Sequence, residues 1–120
     1  MNSDQLRLAL DRMRRAASEA NGFVSGIDKE TFQDDGILQR AVAMSLLMTG
    51  ELTARLIAEH PDFVSDHPDL PWTSLRSMRN SIMQSYIDND FHGVWDTAKT
   101  VAPDLVDKIH AISHWRAEGE

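Results

Sequence analysis

The sequence predicts an all-α fold, an antiparallel bundle of four principal helices with short helices between them. Three observations carry this. Apolar residues recur at steps of three and four in several long windows, no window alternates convincingly with a period of two, and Gly, Pro and Asn-Asp clusters separate the periodic windows. At 120 residues the chain is most simply one domain, spanning 1–120 and long enough to bury a core without metals or crosslinks.

Zero cysteines exclude disulfides and thiolate metal sites, and no apolar run approaches the roughly 20 residues of a membrane span. The amino terminus, Met1-Asn2-Ser3-Asp4-Gln5, is polar and acidic where a secretory signal is basic then apolar, so a cytoplasmic protein with no membrane partner is expected. A formal charge of -7 disfavours a broad electrostatic grip on nucleic acid, so any RNA or nucleotide site must be local. Of the 12 basic residues only Lys29, Lys99 and Lys108 are lysines, a bias toward the side chain suited to bidentate phosphate or carboxylate contacts.

Asn2 or Ser3 can cap a first helix, in which Leu6, Leu10, Met13, Ala17 and Ala20 form a stripe and which Asn21-Gly22 should stop. Arg12, Arg14 and Arg15 interrupt the stripe and read as a solvated face with carboxylate partners in preference to a phosphate site. Asp28 can cap one short turn through Phe32, with Phe23, Ile27 and Phe32 folding back onto the core. The longest pattern, Ile37 to Glu59, offers Leu38, Ala41, Val42, Met44 or Ser45, Met48, Leu52, Leu56 and Ile57 as a wide apolar face, and Gly50 within it suggests a close helix crossing.

His60-Pro61 ends that helix, and Pro61 to Pro71 reads as a loop. Pro71 suits the first turn of the next helix, which Trp72 anchors and which runs as one piece to about Tyr86 before Asp88-Asn89-Asp90 breaks it. Asp90 can cap a short helix from Phe91 to Thr100. Pro103 starts the last one, with Leu105, Val106, Ile109, Ile112 and Trp115 inward.

Polar chemistry concentrates between Leu70 and Tyr86. At about 100° per residue Asn80 and Gln84 share one line of the helix, and Arg79 and Tyr86 share another, with Arg76 one turn before. On composition alone this strip of Arg76, Arg79, Asn80, Gln84 and Tyr86 is a solvated or interhelical hydrogen-bonding face. Glu51 can hold the guanidinium of Arg79 or Arg76, or be an ordinary surface glutamate.

The ordered set Leu38-Gln39-Arg40-Ala41-Val42, Thr49-Gly50-Glu51-Leu52, His67-Pro68-Asp69-Leu70-Pro71-Trp72, Met78-Arg79-Asn80, Tyr86 and Val94-Trp95 resembles the HepT-like branch of the HEPN superfamily, over nearly the whole chain. The resemblance implies a HEPN-like helical domain that forms a homodimer, with the Arg-Asn helices of two subunits facing a shared cleft. It further implies a metal-independent ribonuclease toxin, without cofactor, paired with a minimal nucleotidyltransferase antitoxin. The family motif is Arg, a polar residue, three variable positions, His, one variable position, Tyr. Arg79, Asn80 and Tyr86 match it, and the tyrosine is the side chain the partner can modify with AMP. Arg76 and Arg79 are then candidate RNA phosphate contacts.

Gln84 stands where the motif has histidine. Histidine is the only motif side chain able to take and give a proton near neutral pH, and glutamine is not. Its amide can hydrogen-bond a phosphate or hold Asn80. Three alternatives follow: a noncatalytic member, an engineered inactive variant, or another group in the missing role. His92 is the nearest substitute but reads as an exposed residue near a helix start; His110 and His114 have metal-pair spacing without a third ligand, and His60 and His67 read as turn residues. Two functions are therefore expected, a toxin-type ribonuclease weakened at Gln84, or a noncatalytic subunit of a nucleotidyltransferase complex with Tyr86 as AMP acceptor.

Overall fold

In a computed structural model, which describes the backbone of residues 2–119 and the side chains of residues 4–112, helix α1 (Asn2–Val24) buries the stripe from Leu6 to Ala20. The capping role of Asn2 or Ser3 and the inward placement of Trp115 lie outside the described side chains. Helix α1 does not stop at Asn21-Gly22. One more turn carries Val24 into the core, and the chain leaves the helix at Gly26, whose φ of 78° is the left-handed conformation that favours glycine. Asn21, on that extra turn, donates its side-chain amide to the Ala98 carbonyl at 3.0 Å. Phe23 sits on the outer side and stays exposed, while Ile27 is half-buried and Phe32 fully buried. A Cβ on Gly22 would meet no atom within 4 Å. Gly22→Ala is therefore expected to stabilise the fold by about 0.5–1 kcal/mol, measured by thermal unfolding.

Helix α2 (Lys29–Asp34) is capped by Asp28, whose carboxylate accepts from the Thr31 N–H at 2.8 Å; that bond holds the Asp28 carboxyl below its usual range. Helix α3 (Gly36–Glu59) follows after one residue, Asp35, which accepts from the Leu38 N–H at 3.0 Å. Val42, Leu46 and Leu56 form its buried line. Met44 and Met48 lie outside it, 57% and 50% exposed, because the inward arc also takes in Gln39, Ser45, Thr49 and Thr53. Those polar groups are satisfied locally. Thr49 and Thr53 donate to the carbonyls four residues back, and Gln39 donates to the carbonyls of Phe32 and Gln33, clamping α2 onto α3.

The Thr53 hydroxyl also approaches the Met13 sulfur, 3.5 Å, where α1 and α3 pack antiparallel. By length and composition alone α3 could cross a membrane, but here it is a core helix against α1, α5 and α6.

The segment Pro61 to Pro71 is not loop throughout. Helix α4 (Pro61–Asp66), opened by Pro61, buries Phe63. Trp72 packs edge-on to Phe63 and donates its indole N–H to the His67 carbonyl at 2.8 Å, anchoring α5 (Trp72–Arg76). Pro71 precedes this helix by one residue. Ser77 then separates α5 from α6 (Met78–Asp88), so the helix predicted as one piece is two.

Two causes coincide at the break. The Ser77 hydroxyl bonds back to the Thr73 carbonyl at 2.9 Å, and the junction lies on Gly50 of α3. A Cβ on Gly50 would sit 3.2 Å from the Leu75 oxygen and 3.3 Å from the Arg79 nitrogen, both backbone atoms. The predicted close crossing is real. Gly50→Val is expected to cost about 1–3 kcal/mol in thermal unfolding, from overpacking against backbone that cannot rotate aside.

Helix α6 ends on Asn89 in the left-handed conformation, φ 53°, with Asp90 N–H bonding to Ser85 O and Asn89 N–H to Tyr86 O. Asp90 accepts from the His92 N–H at 3.1 Å at the start of α7 (His92–Asp96). The chain does not stop at Thr100. A π-helical turn, Thr97–Val101, carries it into α8 (Ala102–Gly119), with the Ala102 N–H reaching the Thr97 carbonyl. The wider turn admits Pro103, which lacks an N–H and would crowd the carbonyl four residues back in a regular α-helix. Leu105, Ile109 and Ile112 face inward and Val106 is half-buried. The four principal helices are thus α1, α3, α6 and α8, and no strand occurs among the described residues.

Candidate functional site

The break at Ser77 divides the polar strip. Arg76 ends α5, exposed and without a hydrogen bond or ion pair among the described residues, while Arg79, Asn80, Gln84 and Tyr86 are carried by α6. Arg79 faces α3. Its Nη1 donates to Glu51 Oε1 at 3.2 Å, and Glu51 Oε2 accepts from Arg55 Nε at 3.4 Å, so one carboxylate bridges two guanidinium groups. Glu51 is therefore the partner of Arg79 and not an isolated surface residue. The Arg79 side chain is 67% exposed, so the pair adds little stability but directs the guanidinium while leaving N–H groups free for an anion.

Asn80 and Gln84, one turn apart, line the same open cavity of about 450 Å³ with Ser81, Ser85, Asp88 and Asp90. The Asn80 amide makes no hydrogen bond among the described residues. Gln84 does not hold Asn80: its Nε2 donates to Asp88 Oδ2 at 3.1 Å. His92 is absent from this cavity, lying instead against Lys29 and Asp96. Its exposed position at the start of α7 matches the expectation. The imidazole of His67 packs on Phe63 beside the turn before α5. His114 lies outside the described side chains, and among the described residues no group of three His, Asp or Glu is placed to hold a metal.

Tyr86 shares the α3-facing side of α6 with Arg79. Its ring is half-buried, edge-on to Phe91 at 4.9 Å, with the Arg40 guanidinium 5.9 Å above it. Its hydroxyl is buried and has no hydrogen-bond partner among the described residues. Burial pushes the phenol above its usual value of 10.0, and the nearby Arg40 charge draws it partly back, so Tyr86 is neutral at physiological pH. Arg40, held by its own bond to the Gly36 carbonyl at 2.9 Å, belongs to this site and was not singled out from the sequence. Its spacing, eleven residues before Glu51 on α3, puts it about 20° from the same helix line.

Beside the site lies an apolar face made by two packed helices. Ile37, Met44 and Met48 on α3 and Met83 and Ile87 on α6 are between 50% and 84% exposed. The contacts Arg40–Tyr86 and Glu51–Arg79 set α3 antiparallel to α6, which places Ile37 toward Ile87 and Met44 and Met48 toward Met83. Monomeric proteins seldom expose such a contiguous patch without using it.

The family model described as Ribonuclease HepT-like matches residues 13–112. The chain belongs to the HepT-like ribonuclease family. It is a HEPN-type protein, and its all-helical architecture is the one expected for that superfamily. A protein of Caldanaerobacter subterraneus subsp. tengcongensis named "Putative RNase" is 30% identical over 89 residues, covering 74% of this chain and 77% of that protein. A Methanocaldococcus jannaschii protein of the same name is 26% identical, covering 75% and 72%. "Probable ribonuclease HepT" of Thermococcus cleftensis is 28% identical over 103 residues, covering 86% and 91%. No solved structure matches the chain. Helix α6 carries Arg79, Asn80, Gln84 and Tyr86, the residues on which the motif resemblance rests its expectations.

Proposed function

We propose that this HepT-like chain is the toxin-type subunit of a toxin–antitoxin pair, a cytoplasmic, metal-independent HEPN ribonuclease whose cleavage is weakened or lost at Gln84. The observation that carries the reading is the exposed Arg79 guanidinium, oriented by Glu51 and carried on the same helix as Asn80 and Gln84, which line a cavity that does not include Arg79. In such a reaction the 2′-hydroxyl of one ribose attacks the adjacent phosphorus. A 2′,3′-cyclic phosphate forms, the bond to the next nucleotide's 5′-oxygen breaks, and a proton moves from the 2′-oxygen to the leaving 5′-oxygen. Arg79 stabilises the charge on the phosphoryl oxygens, Asn80 positions the phosphate, and Arg76 supplies a flanking contact. Gln84 can hydrogen-bond but cannot shuttle the proton.

The apolar face of α3 and α6 supports a homodimer. A two-fold axis through it would bring two copies of Arg76 and Arg79 to one cleft, building a basic site within a protein of net charge -7. The other partner in this reading is a minimal nucleotidyltransferase antitoxin. RNA binding tests the proposal. Arg79→Ala is expected to weaken binding of a labelled single-stranded RNA by about 10-fold or more and to flatten its salt dependence. Equal binding by parent and variant at every salt concentration would refute it.

A noncatalytic subunit is the second reading, favoured by the engagement of Gln84 with Asp88. Here the Tyr86 phenol oxygen attacks the α-phosphorus of ATP, pyrophosphate leaves, and the phenol proton passes to solvent. Because the hydroxyl is buried and the ring packs against Arg40 and Phe91, the packing around Tyr86 must open first. Mass spectrometry after incubation with ATP and the cognate transferase is expected to find AMP on Tyr86, faster in Arg40→Ala. Modification without RNA cleavage in either state would favour this reading, and cleavage by the unmodified chain would exclude it.

A further inference from the structure

The arginines of α1 are unlike one another. Arg14 pairs with Asp11 at 2.7 Å, as a solvated face should, whereas Arg12 has neither a hydrogen bond nor an ion pair among the described residues. Arg12 instead lines a groove of about 410 Å³ between α1 and α3, and Arg55 of α3 is on the same groove. Leu8 and Leu52 also line it, offering apolar contact, and Gln5 and His60 add polar groups, with Glu59 the one carboxylate among the lining residues. A volume of this size falls within the roughly 300–1,000 Å³ of small-molecule sites.

Arg55 also donates to the Glu51 carboxylate that orients Arg79. The groove is thereby joined, through one side chain, to the arginine proposed to hold the scissile phosphate. We infer that the α1–α3 groove is a flanking-nucleotide subsite for single-stranded RNA, with a phosphate held by Arg12 and Arg55 and its base laid on Leu8 and Leu52. This rests on the proposed ribonuclease function and extends it from a single phosphate contact to a strand path. Guanidinium groups beside an apolar surface are the chemistry that binds single strands without reading sequence, through phosphate contacts and base packing. Gln5, Leu8 and Arg12 precede the segment matched by the family model, so this part of the path is carried by residues outside that match.

Arg12 can be removed without breaking an ion pair, which makes it the residue to test. RNA of about 4 and about 12 nucleotides, each fluorescein-labelled, would be titrated into the full-length protein by anisotropy over a range of salt. The parent is expected to bind the longer RNA more tightly. Arg12→Ala is expected to lose about 10-fold for the longer RNA, lower its salt slope by about 0.7, and leave the shorter RNA unchanged, while Arg12→Lys keeps the slope. Arg79→Ala should weaken both lengths. Loss on both lengths with Arg79→Ala but on neither with Arg12→Ala would overturn the subsite and leave the ribonuclease reading standing. No RNA binding by the parent would overturn both. Unchanged RNA binding by Arg12→Ala together with weaker binding to the transferase would assign the groove to a protein partner and overturn the inference.

Discussion

Gln84→His is expected to raise RNA cleavage by roughly 10²–10⁴-fold over the parent chain, the range that a positioned general acid or base supplies. The position is suited to the change. Gln84 is exposed on α6, lines the same cavity as Asn80, and makes one local bond, to Asp88. An imidazole there replaces no buried contact. With Asp88 one turn away, the charged imidazole is favoured, so the histidine should titrate above its reference value of about 6.5. Initial rates on labelled RNA should consequently follow an ionisation in the neutral range that the parent lacks. Arg79→Ala added to Gln84→His should remove about 10²–10³ of the gain, because the charge on the transferring phosphoryl group then has no guanidinium.

On the proposed homodimer, Met83→Glu is expected to yield a folded monomer and to abolish the activity gained by Gln84→His. Met83 is half exposed, one of the exposed apolar residues of α3 and α6. A fully buried methionine contributes about 1.5–3 kcal/mol, and a two-fold interface uses each residue twice. Losing both copies and introducing two like charges should weaken association by more than about 10²-fold. Light scattering reads the mass, and thermal unfolding at low concentration shows whether the subunit is intact. A variant that remains dimeric and active would place the interface elsewhere on the molecule.

Where periodicity and local chemistry agree, the sequence is a sound guide. The stripe of α1, the burial of Val42 and Leu56, the cap at Asp28 and the crossing at Gly50 follow from spacing and residue type. Glu51 is legible only as a candidate partner for Arg79 or Arg76, and the packing at that crossing selects Arg79. The break at Ser77 does not follow from spacing or residue type. No glycine or proline marks it, and it arises from a serine back-bond where the chain meets Gly50, a tertiary event.

Pro103 reads as a helix start because its missing N–H ends regular α-helices, and only the π-helical turn before it lets one helix run on. Met44 and Met48 are apolar at helical spacing, which locally looks the same for a core and for an unpartnered face. Gln39 is the converse case, a polar side chain buried because two carbonyls receive its amide. At the candidate site, the motif singled out Arg79, Asn80 and Tyr86 as expectations. It did not reveal that the Tyr86 hydroxyl is buried while its ring packs against Arg40 and Phe91, which depends on how neighbouring segments pack on α6.

The most direct measurement is end-group analysis of single-stranded RNA incubated in EDTA with the parent chain, with Gln84→His, and with Gln84→His carrying Arg79→Ala. A HEPN-type site disabled at one position should yield 2′,3′-cyclic phosphate and 5′-hydroxyl ends with Gln84→His, little or none with the parent, and a return toward the parent when Arg79 is removed. Cleavage by Gln84→His no faster than by the parent, or cleavage that requires a metal and ignores Arg79, would contradict it.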